Sequence, residues 1–154
     1  FDGANARVNP DVEAAVKAMH RAGKPIGALC IAPAVIAKIL SSVEVTIGSD
    51  PGTINTIKKM GGTHVETTHG EVVVDKKNKI FTTPCYMLDA TIVDIYRGAV
   101  NIVMEMLNVE FSMLNSGKVD IRLSDITGRE VAVILNEERA VGKNKVAFGM
   151  NGIN

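Results

Sequence analysis

The sequence predicts an α/β chain in two parts: a mainly parallel sheet covered on both faces by helices, then a small all-β unit. Three observations predict it. Up to about Leu107, short apolar runs alternate with stretches of helical period, and such alternation implies parallel strands joined by crossover helices. The run Pro25-Ile26-Gly27-Ala28-Leu29 ends in Cys30 and passes straight into a helical pattern. From about Asn108 no helical period survives, and what remains reads strand, turn, strand.

Asn9, Pro10 and Asp11 predict a helix start: a capping side chain, a proline in the first turn and an acid near the positive end. Val12, Val16 and Met19 then share a face, and Gly23 stops the helix. A strand over 25–29 leads through Cys30 into a helix running to about Leu40. Val43 to Ile47 reads as a strand. Ser49 or Asp50 caps a helix carrying Ile54, Ile57 and Met60, which ends at Gly61-Gly62. His64 to Thr68 reads as a short strand. Val72-Val73-Val74, the polar turn Lys76-Lys77-Asn78 and Lys79 to Thr83 form a hairpin pattern. A longer helix is expected from about Tyr86 to Leu107, with Ile92, Ile95, Ala99, Ile102, Val103 and Met106 at helical spacing and the face at Ile92, Ile95, Ile102 and Met106 read as core or partly a dimer face. In the tail, Val119 to Leu123 alternates cleanly, Asp125 to Glu130 is a glycine-containing turn, and Val131–Leu135 and Lys145–Phe148 read as further strands. At this size the tail is close to the limit below which a lone core is insufficient, so it is expected to be truncated or to dock on something.

Bulk properties exclude several classes. Seventeen basic and 17 acidic residues leave no net charge to neutralise phosphates, so no nucleic-acid partner is expected. No apolar run is long enough to span a bilayer, so no membrane partner is expected either. Two cysteines, Cys30 and Cys85, make no disulfide framework, no Cys/His cluster has zinc spacing, and no metal is expected. A reduced compartment is the simpler setting. The chain opens Phe1-Asp2-Gly3-Ala4 without an initiator methionine, so it is expected to be a piece of a longer protein, and the lack of a leader says nothing.

Cys30 is the candidate nucleophile. A strand-to-helix elbow is crowded, and the residues two before and two after the cysteine, Ala28 and Ala32, are small. Pro33 falls in the first helical turn, where its missing N–H does no harm. A thiol at that point sits over the free amides that open the helix, and these favour the thiolate, which is the reactive form. The competing reading is a buried core cysteine. In parallel sheets ligands bind beyond the carboxyl ends of the strands, where Cys30 falls.

Five separated stretches in order carry a family resemblance: Gly23-Lys24-Pro25-Ile26-Gly27 leading to Leu29-Cys30-Ile31-Ala32-Pro33-Ala34; Thr46-Ile47-Gly48; Met60-Gly61 with His64-Val65; Asp75 with Asn78-Lys79-Ile80; and Thr82-Thr83-Pro84. Up to about Leu107 the chain resembles the ElbB-type glyoxalases of the PfpI-like, class I glutamine amidotransferase-like superfamily. The resemblance implies a partial flavodoxin-like doubly wound domain over 1–107, the C-terminal half of that fold. Its opening strands, expected before Phe1, would carry a glycine-rich loop and a glutamate beside the cysteine, so no glutamate is assigned here. It further implies a cofactor-free conversion of a small dicarbonyl, glyoxal to glycolate, with Cys30 as nucleophile and the Ile31 backbone N–H as oxyanion donor. Thr83, Pro84 and Tyr86 would border the pocket. The substrate partner would be a small aldehyde or dicarbonyl, the chain a homo-oligomer, and the compartment the cytoplasm.

From about Val109, the stretch Gly117-Lys118-Val119 through Asp125-Ile126-Thr127-Gly128-Arg129-Glu130-Val131 to Ala140-Val141-Gly142 resembles the C-terminal sorting domain of type IX secretion cargo, or the related FlgD-like β-sandwich. This implies an incomplete sandwich over 108–154 and, for a genuine sorting domain, secretion or the cell surface. Two other functions stay open: a glutamine amidotransferase-like subunit, or an extracellular sorting or interaction module with an inert α/β remnant.

The remaining candidates have blander readings. His64-Val65-Glu66 and His69-Gly70-Glu71 each repeat the His-x-Glu pair of amidotransferase triads, but they follow Cys30 more closely than that class places the pair. His64 more simply opens a strand and His69 sits in a loop, with His69 the first alternative base. His20 reads as a surface residue, Cys85 as packing, and Lys76, Lys77 and Lys79 as a solvated turn.

Overall fold

The computed structural model describes residues 2–107, 109–124 and 127–146. The chain forms two compact units, Phe1–Met106 and Leu107–Asn154.

In the first unit, helix α1 (Pro10–Arg21) starts as the sequence predicts: Asn9 Oδ1 accepts from the amides of Asp11 at 2.8 Å and Val12 at 3.4 Å. Strand β1 (Ile26–Leu29) follows, then α2 (Ala32–Leu40), β2 (Glu44–Val45), α3 (Pro51–Lys59), β3 (Thr63–His64), the hairpin β4 (Val73–Asp75) and β5 (Ile80–Thr83), and α4 (Ile92–Met106). Asp50 is the cap of α3, its carboxylate accepting from the Thr53 amide at 2.7 Å. Three strands form one sheet in the order β1-β5-β4, with β1 parallel and β4 antiparallel to β5. Strands β2 and β3 pair in parallel beside it.

The two faces of β1 explain the layering. Ala28, with Ile26 partly buried behind it, joins a core of Ala34, Ile36 and Ala37 from α2, Val43, Val45 and Ile47 around β2, Ile57 from α3 and Ile80 from β5. Gly27 points the other way, toward α4. A Cβ there would lie 2.7 Å from Met106 Sδ and 3.5 Å from Ile102 Cδ1, so the missing side chain lets α4 approach the strand. Gly98 does the same one turn earlier, against Thr83 and Cys85.

Four expectations are corrected. The strands expected over 43–47 and 64–68 shrink to two residues each, because side chains replace the ladder: the Thr46 amide donates to Thr82 Oγ1 at 2.9 Å, and the Ile47 amide to His64 Nε2 at 3.3 Å. The helix expected from Tyr86 begins at Ile92; Cys85–Met87 is instead a 3₁₀ turn. Thr91 and Asp94 cap that start reciprocally, Thr91 N to Asp94 Oδ2 at 3.0 Å and Asp94 N to Thr91 Oγ1 at 3.3 Å. On α4 the buried positions are Gly98 and Ile102, whereas Ile92 is 83% exposed.

The second unit holds two antiparallel pairs. β6 (Val109–Met113), which the sequence reading did not anticipate, pairs with β9 (Gly142–Val146), and β7 (Gly117–Ser124) pairs with β8 (Glu130–Arg139). Arg122 grips both carboxylate oxygens of Asp120 at 2.8 Å and reaches Glu130 on β8 at 2.7 Å. Leu135 and Val146 are its buried apolar side chains among the described residues. Asp125 and Ile126 of the expected turn, and Ala147 and Phe148 of the expected last strand, lie outside the described residues.

Candidate active site

Cys30 takes the single residue between the end of β1 and the turn into α2. Its backbone sits at φ 62°, in the left-handed region that a residue with a side chain occupies at a cost of about 1–3 kcal/mol. The cost is tolerated because both flanks are fixed: the Cys30 amide donates to the Thr83 carbonyl at 3.1 Å, carrying the β1–β5 pairing one step further, and Pro33 and Ala34 are buried in the first turn of α2. Cys30 itself is half-buried. Ile31, next in the chain, occupies the N-cap position of α2, and no side chain caps that helix. Pro33 has no N–H and the Ala34 amide donates to the Ile31 carbonyl at 3.0 Å, so in the first turn of α2 the Ala32 amide remains for whatever meets it at the elbow.

Cys85 reaches the same place from the neighbouring strand. It follows β5 by two residues, with φ 44°, and is 7% exposed. Burial pushes its thiol up, and the nearby Cys30 thiol adds to this. The Cys85 thiol thus lies near Cys30. Thr83 Oγ1 is buried there without a hydrogen-bond partner, and it and Cys85 Sγ both face Gly98.

The other candidate residues are distributed around this centre. Thr83 and Pro84 are fully buried, so in this chain they support the elbow from beneath, while Tyr86 is 68% exposed. A cavity of about 300 Å³ with walls from Arg7, Val12, Ala34, Val35 and Met60 reaches the elbow at Ile31, and Cys30 is not part of its lining. His69 Nε2 donates to the Asp89 carbonyl at 2.9 Å and lies beside Asp94, contacts that tie it to the start of α4. His64 is occupied by the Ile47 amide; burial holds its imidazole below the ordinary range, with Glu66 opposing. His20 pairs with Asn78 at 3.2 Å. None of these histidine hydrogen bonds goes to Cys30. Among the described residues no cluster of His, Cys, Asp or Glu could hold a metal ion, and no helix is long and apolar enough to cross a membrane.

No family model matches the chain. Among curated proteins it is 39% identical over 117 residues to the human mitochondrial glutamine amidotransferase-like class 1 domain-containing protein 3, covering 70% of this chain and 44% of that protein. It is 37% identical to the rat mitochondrial ES1 protein homolog, with the same coverage. The crystal structure of an isoprenoid biosynthesis protein with an amidotransferase-like domain from Ehrlichia chaffeensis superposes with a TM-score of 0.61 at 35% identity, over 70% of this chain and 50% of that one. The comparisons support the class I glutamine amidotransferase-like superfamily. They agree with a mixed α/β, flavodoxin-like fold and lend nothing to the sorting-domain resemblance of the tail. The chain spans less than half the length of these two curated relatives.

Proposed function

We propose that Cys30 is the nucleophile of a cofactor-free conversion of a small dicarbonyl, glyoxal to glycolate. The observation that carries this reading is the strained elbow: a half-exposed thiol at φ 62° directly before a helix that no side chain caps. The thiolate adds to one aldehyde carbon, whose oxygen takes a proton, giving a hemithioacetal. A base then removes the hydrogen from that carbon while the second carbonyl is protonated; moving the proton between carbons leaves a hydroxyacyl thioester. Water releases glycolate and restores the thiol. In this reading the amide of Ile31, the N-cap residue of α2, stabilises the oxyanion in the addition and hydrolysis steps, an interaction worth about 3–4 kcal/mol where one good donor is removed. A glutamine amidotransferase is compatible with the relatives' names, but it would need a histidine on Cys30, and His64 and His69 are engaged elsewhere.

The hydrogen bonds of His20, His64 and His69 all go elsewhere, so this chain alone should turn glyoxal over about 10²–10⁴-fold more slowly than a site with its acid/base partner in place. The test is limited iodoacetamide labelling with peptide mapping. Cys30 should be alkylated before the buried Cys85, and glyoxal should protect Cys30 alone. Preferential labelling of Cys85, or no protection by glyoxal, would overturn the assignment.

A further inference from the structure

The arrangement of Cys30 and Cys85 suits a second chemistry. They leave paired strands at the same end: Leu29 is in register with Thr83, Cys30 follows the first and Cys85 follows the second by one residue more. Paired strands lie about 4.8 Å apart, inside the range of about 4.4–6.8 Å between Cα atoms that a disulfide spans. The ladder continues to Cys30 through its bond to the Thr83 carbonyl, and both cysteines hold left-handed backbone, at φ 62° and φ 44°. The two differ in access. Cys30 is half-buried at the mouth of α2, whereas Cys85 lies buried behind it, under Gly98 and next to the unpartnered Thr83 hydroxyl.

We propose that Cys30 and Cys85 form a redox pair in which a hydroperoxide oxidises Cys30 and Cys85 resolves the product as an intramolecular disulfide. The Cys30 thiolate attacks the terminal peroxide oxygen, the O–O bond breaks, and Cys30 becomes a sulfenic acid while the peroxide leaves as water or an alcohol. The Cys85 sulfur then attacks the Cys30 sulfur, the S–O bond breaks, and a second water carries away the oxygen and the Cys85 proton. Two thiols have lost two electrons and the peroxide has gained them. The disulfide removes the nucleophile from turnover, shields it from the irreversible sulfinic step, and is undone by a thiol reductant. This rests on Cys30 being the accessible nucleophile, as in the proposed function, and not on the dicarbonyl substrate.

The test treats the reduced chain with an equimolar amount of hydrogen peroxide, blocks remaining thiols with iodoacetamide and maps peptides without reduction. The expected result is a peptide pair joined through Cys30 and Cys85 within one chain, a fall from two free thiols to none, and full recovery with dithiothreitol. In Cys85→Ala and Cys85→Ser, two equivalents of hydrogen peroxide, one for each oxygen added, should drive Cys30 to the sulfinic acid, which dithiothreitol does not reverse. Sulfinic Cys30 with an alkylatable Cys85 in the unsubstituted chain would overturn the pairing, as would cross-linked dimers or no oxidation. Because the decisive mapping uses the unsubstituted chain, it does not depend on the variants folding. If iodoacetamide still finds Cys30 first in those cases, only the pairing fails; if it does not, the nucleophile assignment fails with it.

Discussion

Asp75 is the residue on which removal of one side chain should unpin the sheet. It ends β4, is 8% exposed, and gathers three donors: the Glu44 amide at 2.9 Å, the Asn78 amide at 3.0 Å and Asn78 Nδ2 at 2.7 Å. The first ties β2 to the hairpin, and the other two close the turn. Hydrogen bonds to a charged group contribute about 1.5–3 kcal/mol each, but the Asn78 donors can turn to water when the carboxylate is removed. The Glu44 amide can do so less readily, so Asp75→Ala should cost about 2–4 kcal/mol, a large share of a typical total of about 5–15 kcal/mol. Asp75→Asn should cost nearly as much, since its amide nitrogen would face a donor where an acceptor is required. Burial raises the Asp75 carboxyl, yet the hydrogen bonds from Asn78 and Glu44 outweigh it and hold the group below the ordinary range. A lowered folded pKa means that the contribution is whole above the unfolded value near 3.9 and is lost as pH falls through the folded one. Urea unfolding followed by circular dichroism, at neutral pH and then at steps down to about pH 3, should show stability falling more steeply in the unsubstituted chain than in Asp75→Asn. A loss below about 1 kcal/mol, or matching acid slopes, would refute the role given to this carboxylate.

Two further expectations test the site's surroundings. His64→Ala removes the acceptor of the Ile47 amide and should cost about 1–2 kcal/mol while leaving the alkylation rate of Cys30 unchanged; a slower rate would revive His64 as a base. Because burial depresses the His64 imidazole, its contribution should be whole above about pH 6.5 and erode as pH falls through the folded pKa, a dependence absent from the alanine variant. Gly27→Ala places a Cβ 2.7 Å from Met106 Sδ and should cost about 1–3 kcal/mol, less when combined with Met106→Ala than the two single losses added; strict additivity in thermal or urea unfolding would show that α4 does not press on Gly27.

The parts of the fold legible in the sequence are those whose cause is local. Asn9 and Asp50 each cap a helix with their own side chain, and the polar turn between β4 and β5 joins adjacent runs. The elbow at Cys30 shows in Ala28, Ala32 and Pro33 because crowding acts within a few residues. Failures have non-local or competing causes. The apolar period continues backwards from Ile92 through Leu88 to Tyr86 and masks the Thr91–Asp94 cap that begins α4. Strand β2 is short because Thr82 and His64, distant in sequence, take amides that a ladder would otherwise use.

The same distinction divides the site. Cys30 can be picked out as the candidate nucleophile from its neighbours in the chain, since an elbow is a property of consecutive residues. Cys85 cannot be recognised as its companion that way, because nothing in Thr83-Pro84-Cys85-Tyr86 tells which strand lies alongside. Its position follows from the register of β1 with β5, which sets Leu29 opposite Thr83 and so brings the two thiols to one edge of the sheet. A small apolar residue at position 85 would fill the space under Gly98 equally well and preserve the elbow. A thiol in that space leaves packing almost unchanged and adds a second sulfur near Cys30, so what distinguishes Cys85 is chemistry that only the strand pairing makes available.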